Sequence, residues 1–145
     1  MAEPTPIMGH VFVYGTLKRG QCREHCWPVR PLDVRPAWIR GRLIDLGAYP
    51  ALLDGDQRVW GEVWSFDQRD LPEVHAALDR VEVTNQPGVP NEYDRVAVTV
   101  FLAEGDASLE ASTYRFADQA LAARIQPLPA SLAVGTQRYV VWPRR

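Results

Sequence analysis

The stretch Val59–Phe66 constrains the fold more than any other part of the chain. Its period-two alternation puts Trp60, Glu62, Trp64 and Phe66 on one face and Val59, Gly61, Val63 and Ser65 on the other. Both faces are largely apolar, so a strand here must be covered on both sides. Glu62, set between two tryptophans, is the exception.

A second strand signal, Val11-Phe12-Val13, runs into Tyr14-Gly15-Thr16-Leu17. Apolar and β-branched residues build the strand, and Gly15 is expected to permit a backbone geometry closed to other residues. A turn of this kind can aim several backbone N–H groups at one point, a nest for a carboxylate or carbonyl oxygen. An ordinary glycine turn would look the same in sequence.

The remaining elements follow from the same rules. Lys18–Pro36 reads as a long polar connection, and Ala37–Leu46 as a strand broken or bulged at Gly41, followed by turn formers around Tyr49. A helix is expected from Asp70 to about Glu82. Asp70 and Glu73 have capping-box spacing, Pro72 suits the first turn, and Leu71, Val74, Leu78 and Val81 form an apolar stripe. Asp94–Leu102 and Glu110–Phe116 read as neighbouring strands across Glu104-Gly105-Asp106, with a short helix over Ala117–Ile125 and a last strand over Gln137–Trp142. Many strands and few helices predict an α+β domain, a small, mostly antiparallel sheet curling towards a barrel and flanked by short helices.

With 145 residues, one domain over 1–145 is expected, residues 1–9 forming a flexible tail. The net charge of −2 and the lack of a basic stripe argue against nucleic acid as a partner. No apolar run reaches the ~20 residues of a membrane span, and residues 1–10 have no signal-peptide pattern, which predicts a cytoplasmic protein. Cys22 and Cys26 are the only cysteines, too few for a structural zinc site, and are expected as free thiols. His10, His25 and His75 suit no catalytic triad.

Five segments in order, VFVYGTLKRG (11–20), GRLIDLGAYPAL (41–52), GEVW (61–64), LDRVE (78–82) and YDRV (93–96), resemble the γ-glutamylcyclotransferase-like family, which includes the γ-glutamylamine cyclotransferases and AIG2-like proteins. The resemblance runs from Val11 to about Leu102. It implies a closed or nearly closed β-barrel with flanking helices. It also implies an intramolecular aminolysis: the α-amino group of a γ-glutamyl substrate attacks its own γ-carbonyl, giving 5-oxoproline and a free amine, with no metal or organic cofactor. The family's acid–base residue corresponds to Glu82, and its substrate-binding loop to Tyr14, Gly15, Thr16 and Leu17. Tyr49 and Tyr93 join the expected substrate-binding residues as a pocket wall and a hydrogen-bonding group.

The chemistry asks for such residues. Ring closure needs the substrate's amine as a free base, and a carboxylate that takes its proton and returns it to the departing nitrogen needs a pKa above the ordinary ~4.3. Fixed donors must meet the charge that develops on the γ-carbonyl oxygen. Glu62 is the rival carboxylate, or else an acceptor for a neighbouring loop or for Arg95; Arg95 can pair with Glu62 or with Asp79. One departure from many relatives stands out: Val83 follows Glu82 where they carry glycine, and a longer loop, 84–92, precedes Tyr93. That loop is expected to rim the site. The expected partner is a small γ-glutamyl compound, bound by a monomer or a homodimer. The leaving amine (amino acid, polyamine, lysine remnant or biosynthetic intermediate) is left open, and so is a non-catalytic binding module of the same fold.

Overall fold

The computed structural model of the chain describes residues 7–143. Strands β1 (Met8–Val13), β2 (Asp33–Asp45), β3 (Pro50–Asp67), β4 (Tyr93–Leu102) and β5 (Ser108–Phe116) close into a barrel in the order β1-β3-β2-β4-β5. Four of the five strand contacts are antiparallel, and the closing one, β1 against β5, is parallel. Helix α1 (Leu71–Val81) follows β3 through a 3-10 turn, Gln68–Asp70. A short α2 (Gln119–Ala122) and a hairpin of β6 (Leu132–Val134) and β7 (Gln137–Tyr139) complete the chain. No helix among the described residues is long and apolar enough to cross a membrane.

The alternation of β1 divides its side chains between two cores. Val11 and Val13 pack with Trp64, Phe66 and, from α1, Val74 and Leu78. Phe12 and Tyr14 pack with Ala37, Ile39, Val59, Val63 and Val100. Val59–Phe66 is covered on both sides, as its composition requires: Val59 and Val63 join one core, Trp64 and Phe66 the other.

Several boundaries differ from the sequence reading. The tail expected over 1–9 is shorter, because Met8 and Gly9 pair with Asp67 and Phe66; residues 1–6 lie outside the described ones. β2 begins at Asp33, not Ala37, and Pro36 lies in register with Glu62. β3 begins at Pro50, and the turn formers Asp54-Gly55-Asp56 are absorbed as a bulge opposite Gly41/Arg42. The Asp70 side chain caps nothing. Asp70 itself sits in the αR region, because the preceding 3-10 turn has already started the spiral, and Asp67 takes over by accepting the Arg69 N–H. The helix expected over 117–125 is four residues long, and the last strand stops at Tyr139 with a single further bridge, Val59 to Val140.

Candidate active site

The turn after β1 is built so that its carbonyls are occupied and its amides are not. Gly15 O accepts from Lys18 N (3.1 Å), Thr16 O from Arg23 N (2.9 Å) and Leu17 O from the Trp27 indole (2.9 Å). Trp27 is in turn stacked on Trp64, ring centroids 4.2 Å apart, which fixes the loop to the core. In a planar trans peptide, a carbonyl and the N–H that follows it point in opposite directions. Tying the carbonyls of Gly15 and Thr16 to the loop therefore turns the amides of Thr16 and Leu17 the other way. Among the described residues, the amides of Gly15, Thr16 and Leu17 have no acceptor.

Gly15 is required for a reason other than the one its sequence suggested. Its backbone is not in the left-handed region. Instead, a Cβ on it would stand 2.7 Å from Pro50 Cγ, so the close approach of the Leu46–Tyr49 turn demands glycine.

Residues 14–17 line a small, partly open pocket, together with Arg23, Tyr49, Glu82 and Tyr93. Glu82 reaches it from the end of α1, where it is the C-cap and donates its N–H to Leu78 O at 2.9 Å. The two following residues complete a Schellman motif: Val83 N bonds Arg80 O (3.4 Å) and Thr84 N bonds Asp79 O (2.8 Å). This motif wants a left-handed residue after the cap, and Val83 supplies it at φ 52°. The chain thus leaves the helix abruptly, and Glu82 ends up facing the pocket rather than continuing a solvated helical face. Burial pushes its carboxyl up to about 7; the Arg23 guanidinium opposes that shift and Glu92 adds to it.

Three tyrosines surround this carboxylate, each already committed. The Tyr14 hydroxyl donates to Tyr114 O (2.5 Å) and accepts from Leu52 N (3.3 Å). Tyr93 donates to Pro50 O at 2.9 Å, and Tyr49 to Glu92 at 2.7 Å. Burial first, and then neighbouring charge, raises the pKa of Tyr14 and Tyr93, so both stay neutral donors. Of the loop over 84–92, expected to rim the site, none lines the pocket; Glu92 meets it indirectly, its N–H donating to Val83 O (2.9 Å) and its carboxylate accepting from Tyr49.

All seven residues singled out in the sequence line this one pocket. Glu62 does not. It accepts from Arg19 N, the Arg19 side chain and the Trp64 indole, and so anchors the loop after β1. Arg95 pairs with Asp79, not Glu62, and Tyr114 also donates to Asp79, at 2.6 Å. Cys22 and Cys26 are free thiols. Sequence reasoning missed Arg23. It sits in a polar loop that holds other arginines, and the Thr16 contact, with the Trp27–Trp64 stack, brings it to the pocket.

The family model for γ-glutamyl cyclotransferase, AIG2-like proteins matches residues 11–131. A Vibrio cholerae protein, provisionally named a γ-glutamylcyclotransferase, is 39% identical over 89 residues, 59% of this chain and 67% of that one. The γ-L-glutamyl-butirosin B γ-glutamyl cyclotransferase of Niallia circulans is 35% identical over 96 residues, which span 65% of this chain and 59% of that protein, under two thirds of its length. Among solved structures, the mouse AIG2-like protein superposes with a TM-score of 0.59 at 26% identity, covering 95% of this chain and 99% of that one. By fold and sequence, the chain belongs to the γ-glutamyl cyclotransferase, AIG2-like family, and with it to a family of cyclotransferase enzymes.

Proposed function

We propose that the protein converts a γ-glutamyl amine or γ-glutamyl peptide into 5-oxoproline and a free amine, with Glu82 as the acid–base group. One observation carries the reading: a carboxylate held near pKa 7 shares a small pocket with backbone amides that have no acceptor among the described residues.

In this reading Glu82, ionised, takes a proton from the substrate's α-ammonium group. The freed nitrogen attacks the γ-carbonyl carbon, forming the ring C–N bond, while the amides of residues 15–17 stabilise the charge that grows on the carbonyl oxygen. Collapse of the tetrahedral intermediate breaks the bond to the leaving nitrogen, to which Glu82 returns its proton; the second proton of the ring nitrogen passes by way of the same carboxylate to the released amine, which departs as an ammonium ion. The carboxylate ends as it began. Its raised pKa suits both transfers, because an acid near neutrality accepts and releases a proton at little cost. Tyr14, Tyr93 and Pro50 wall the pocket and hold the substrate folded on itself, which can contribute several kcal/mol through positioning.

The test is release of 5-oxoproline from γ-glutamyl dipeptides and γ-glutamylamines. Glu82→Gln is expected to lower turnover by roughly 10²–10⁴-fold while keeping the circular dichroism of the parent. Failure to form 5-oxoproline from any such donor, or full activity in a folded Glu82→Gln variant, overturns the reading.

A further inference from the structure

Among the described residues, Arg23 is the one cationic side chain that lines the pocket. It is half-buried, and among the described residues its guanidinium makes no hydrogen bond or ion pair. What it touches is the face of Tyr49, 5.6 Å from the ring centroid. Its backbone is fixed, because Arg23 N donates to Thr16 O and Cys26 N to Arg23 O, both at 2.9 Å. A guanidinium carries five donors, and leaving all of them without a protein acceptor beside a pocket is unusual for a residue so firmly placed. Its charge is felt at Glu82, yet the two are not paired.

We propose that Arg23 pairs with the α-carboxylate of the γ-glutamyl group and thereby selects substrates in which that carboxylate is free. The inference rests on the cyclotransferase reading above. Every γ-glutamyl donor carries its α-amino and α-carboxylate groups on one carbon, so the carboxylate lies within about 3 Å of the nitrogen. When that nitrogen meets Glu82, the substrate's carboxylate is brought close to a second negative group in a partly dehydrated space. A cation close to Glu82 but not tied to it offsets that repulsion. Arginine suits the task, since its planar fork matches a carboxylate with two parallel bonds. The Tyr49 ring beneath the guanidinium sets the plane of the fork.

The probes are L-γ-glutamyl-butylamide, whose only carboxylate is the α one, and the same compound with an α-carboxamide. The wild-type protein is expected to prefer the acid by about tenfold or more. Arg23→Gln is expected to lower kcat/KM for the acid by roughly 10–100-fold, mainly through KM, and for the carboxamide by less than about threefold. Arg23→Lys recovers part of the loss. Removing Arg23 also shifts Glu82, but that acts on both compounds and cancels in their ratio. Equal losses for the two compounds, or no preference in the wild type, overturn the proposal. Binding of 5-oxoproline and its carboxamide, measured by calorimetry, separates this failure from the other one. A protein that makes no 5-oxoproline, yet prefers the acid only when Arg23 is present, loses the cyclotransferase reading and keeps this assignment. Equal binding of both, or none, removes the assignment too.

Discussion

The ring of Pro50 occupies the space into which a side chain on Gly15 would project, 2.7 Å from its first atom. The two residues come from different strand ends, and their contact brings the turn after β1 against the turn before β3. The amide-bearing loop and the Tyr49 wall are therefore one unit.

Gly15→Ala tests that unit. The added methyl must displace Pro50, whose carbonyl also accepts the Tyr93 hydroxyl. A loss of about 1–3 kcal/mol in denaturant unfolding is expected, typical of overpacking, together with a fall in 5-oxoproline formation larger than the change in stability explains. An unchanged midpoint and rate would show that the contact yields freely.

The pH dependence of kcat/KM is expected to fall on the acid side with a midpoint near 7, because the free protein must present Glu82 ionised and burial holds its pKa at about 7. Initial rates between pH 5 and 9 check this. A profile still flat at pH 5.5 would place the essential base elsewhere.

Stability should carry the same signature in the opposite direction. The Glu82 carboxyl is raised in the folded state from 4.5 to about 7, so the fold binds this proton more tightly than the unfolded chain does. Its contribution is fully present below about pH 4.5 and is lost as pH rises through 7. Glu82→Gln removes the penalty, and is expected to stabilise the protein at pH 8 by about 1–3 kcal/mol while flattening its Tm between pH 5 and 7. Equal pH dependence in parent and variant would mean that the carboxyl is not dehydrated.

Val83 offers a stabilising change. It holds the left-handed position of the Schellman motif at φ 52°, where a β-branched residue is strained and glycine is at home. Val83→Gly is expected to raise stability by about 0.5–1 kcal/mol, the relief exceeding the extra entropy of the unfolded chain. Thermal unfolding checks it, and activity should persist because both Schellman hydrogen bonds use backbone atoms.

Much of the site was legible because its parts are local. A strand ending in Tyr14-Gly15-Thr16 and a helix ending in Leu78-x-x-x-Glu82 carry their own signals, and the family resemblance joined them. The facing of Glu82 towards residues 14–17 depends on the barrel, and no spacing reveals it. The strand through Asp54-Gly55-Asp56 had no signal of its own: it is carried through as a bulge because β2 continues alongside it. Asp70 looks like a cap until the 3-10 turn before it shifts that task to Asp67. Arg23 stayed hidden for the plainest reason. Its place is set by a carbonyl seven residues earlier and by a Trp27–Trp64 stack that no local window contains.

The parallel seam ties the pocket to the closure of the barrel. Five strands in a ring cannot all alternate in direction, so one adjacent pair must run the same way, and here it is β1 with β5. The lone ladder partner there is Val11 with Ser112, and the bonds Thr113 to Phe12 and Tyr14 to Tyr114 join positions 101 and 100 residues apart. Phe12, Tyr14, Thr113 and Tyr114 also line the pocket. The cleft therefore cannot exist in a half-assembled sheet. A molecule lodged there acts as a rivet across the joint between the two ends of the strand order, and its grip reports whether the ring is whole.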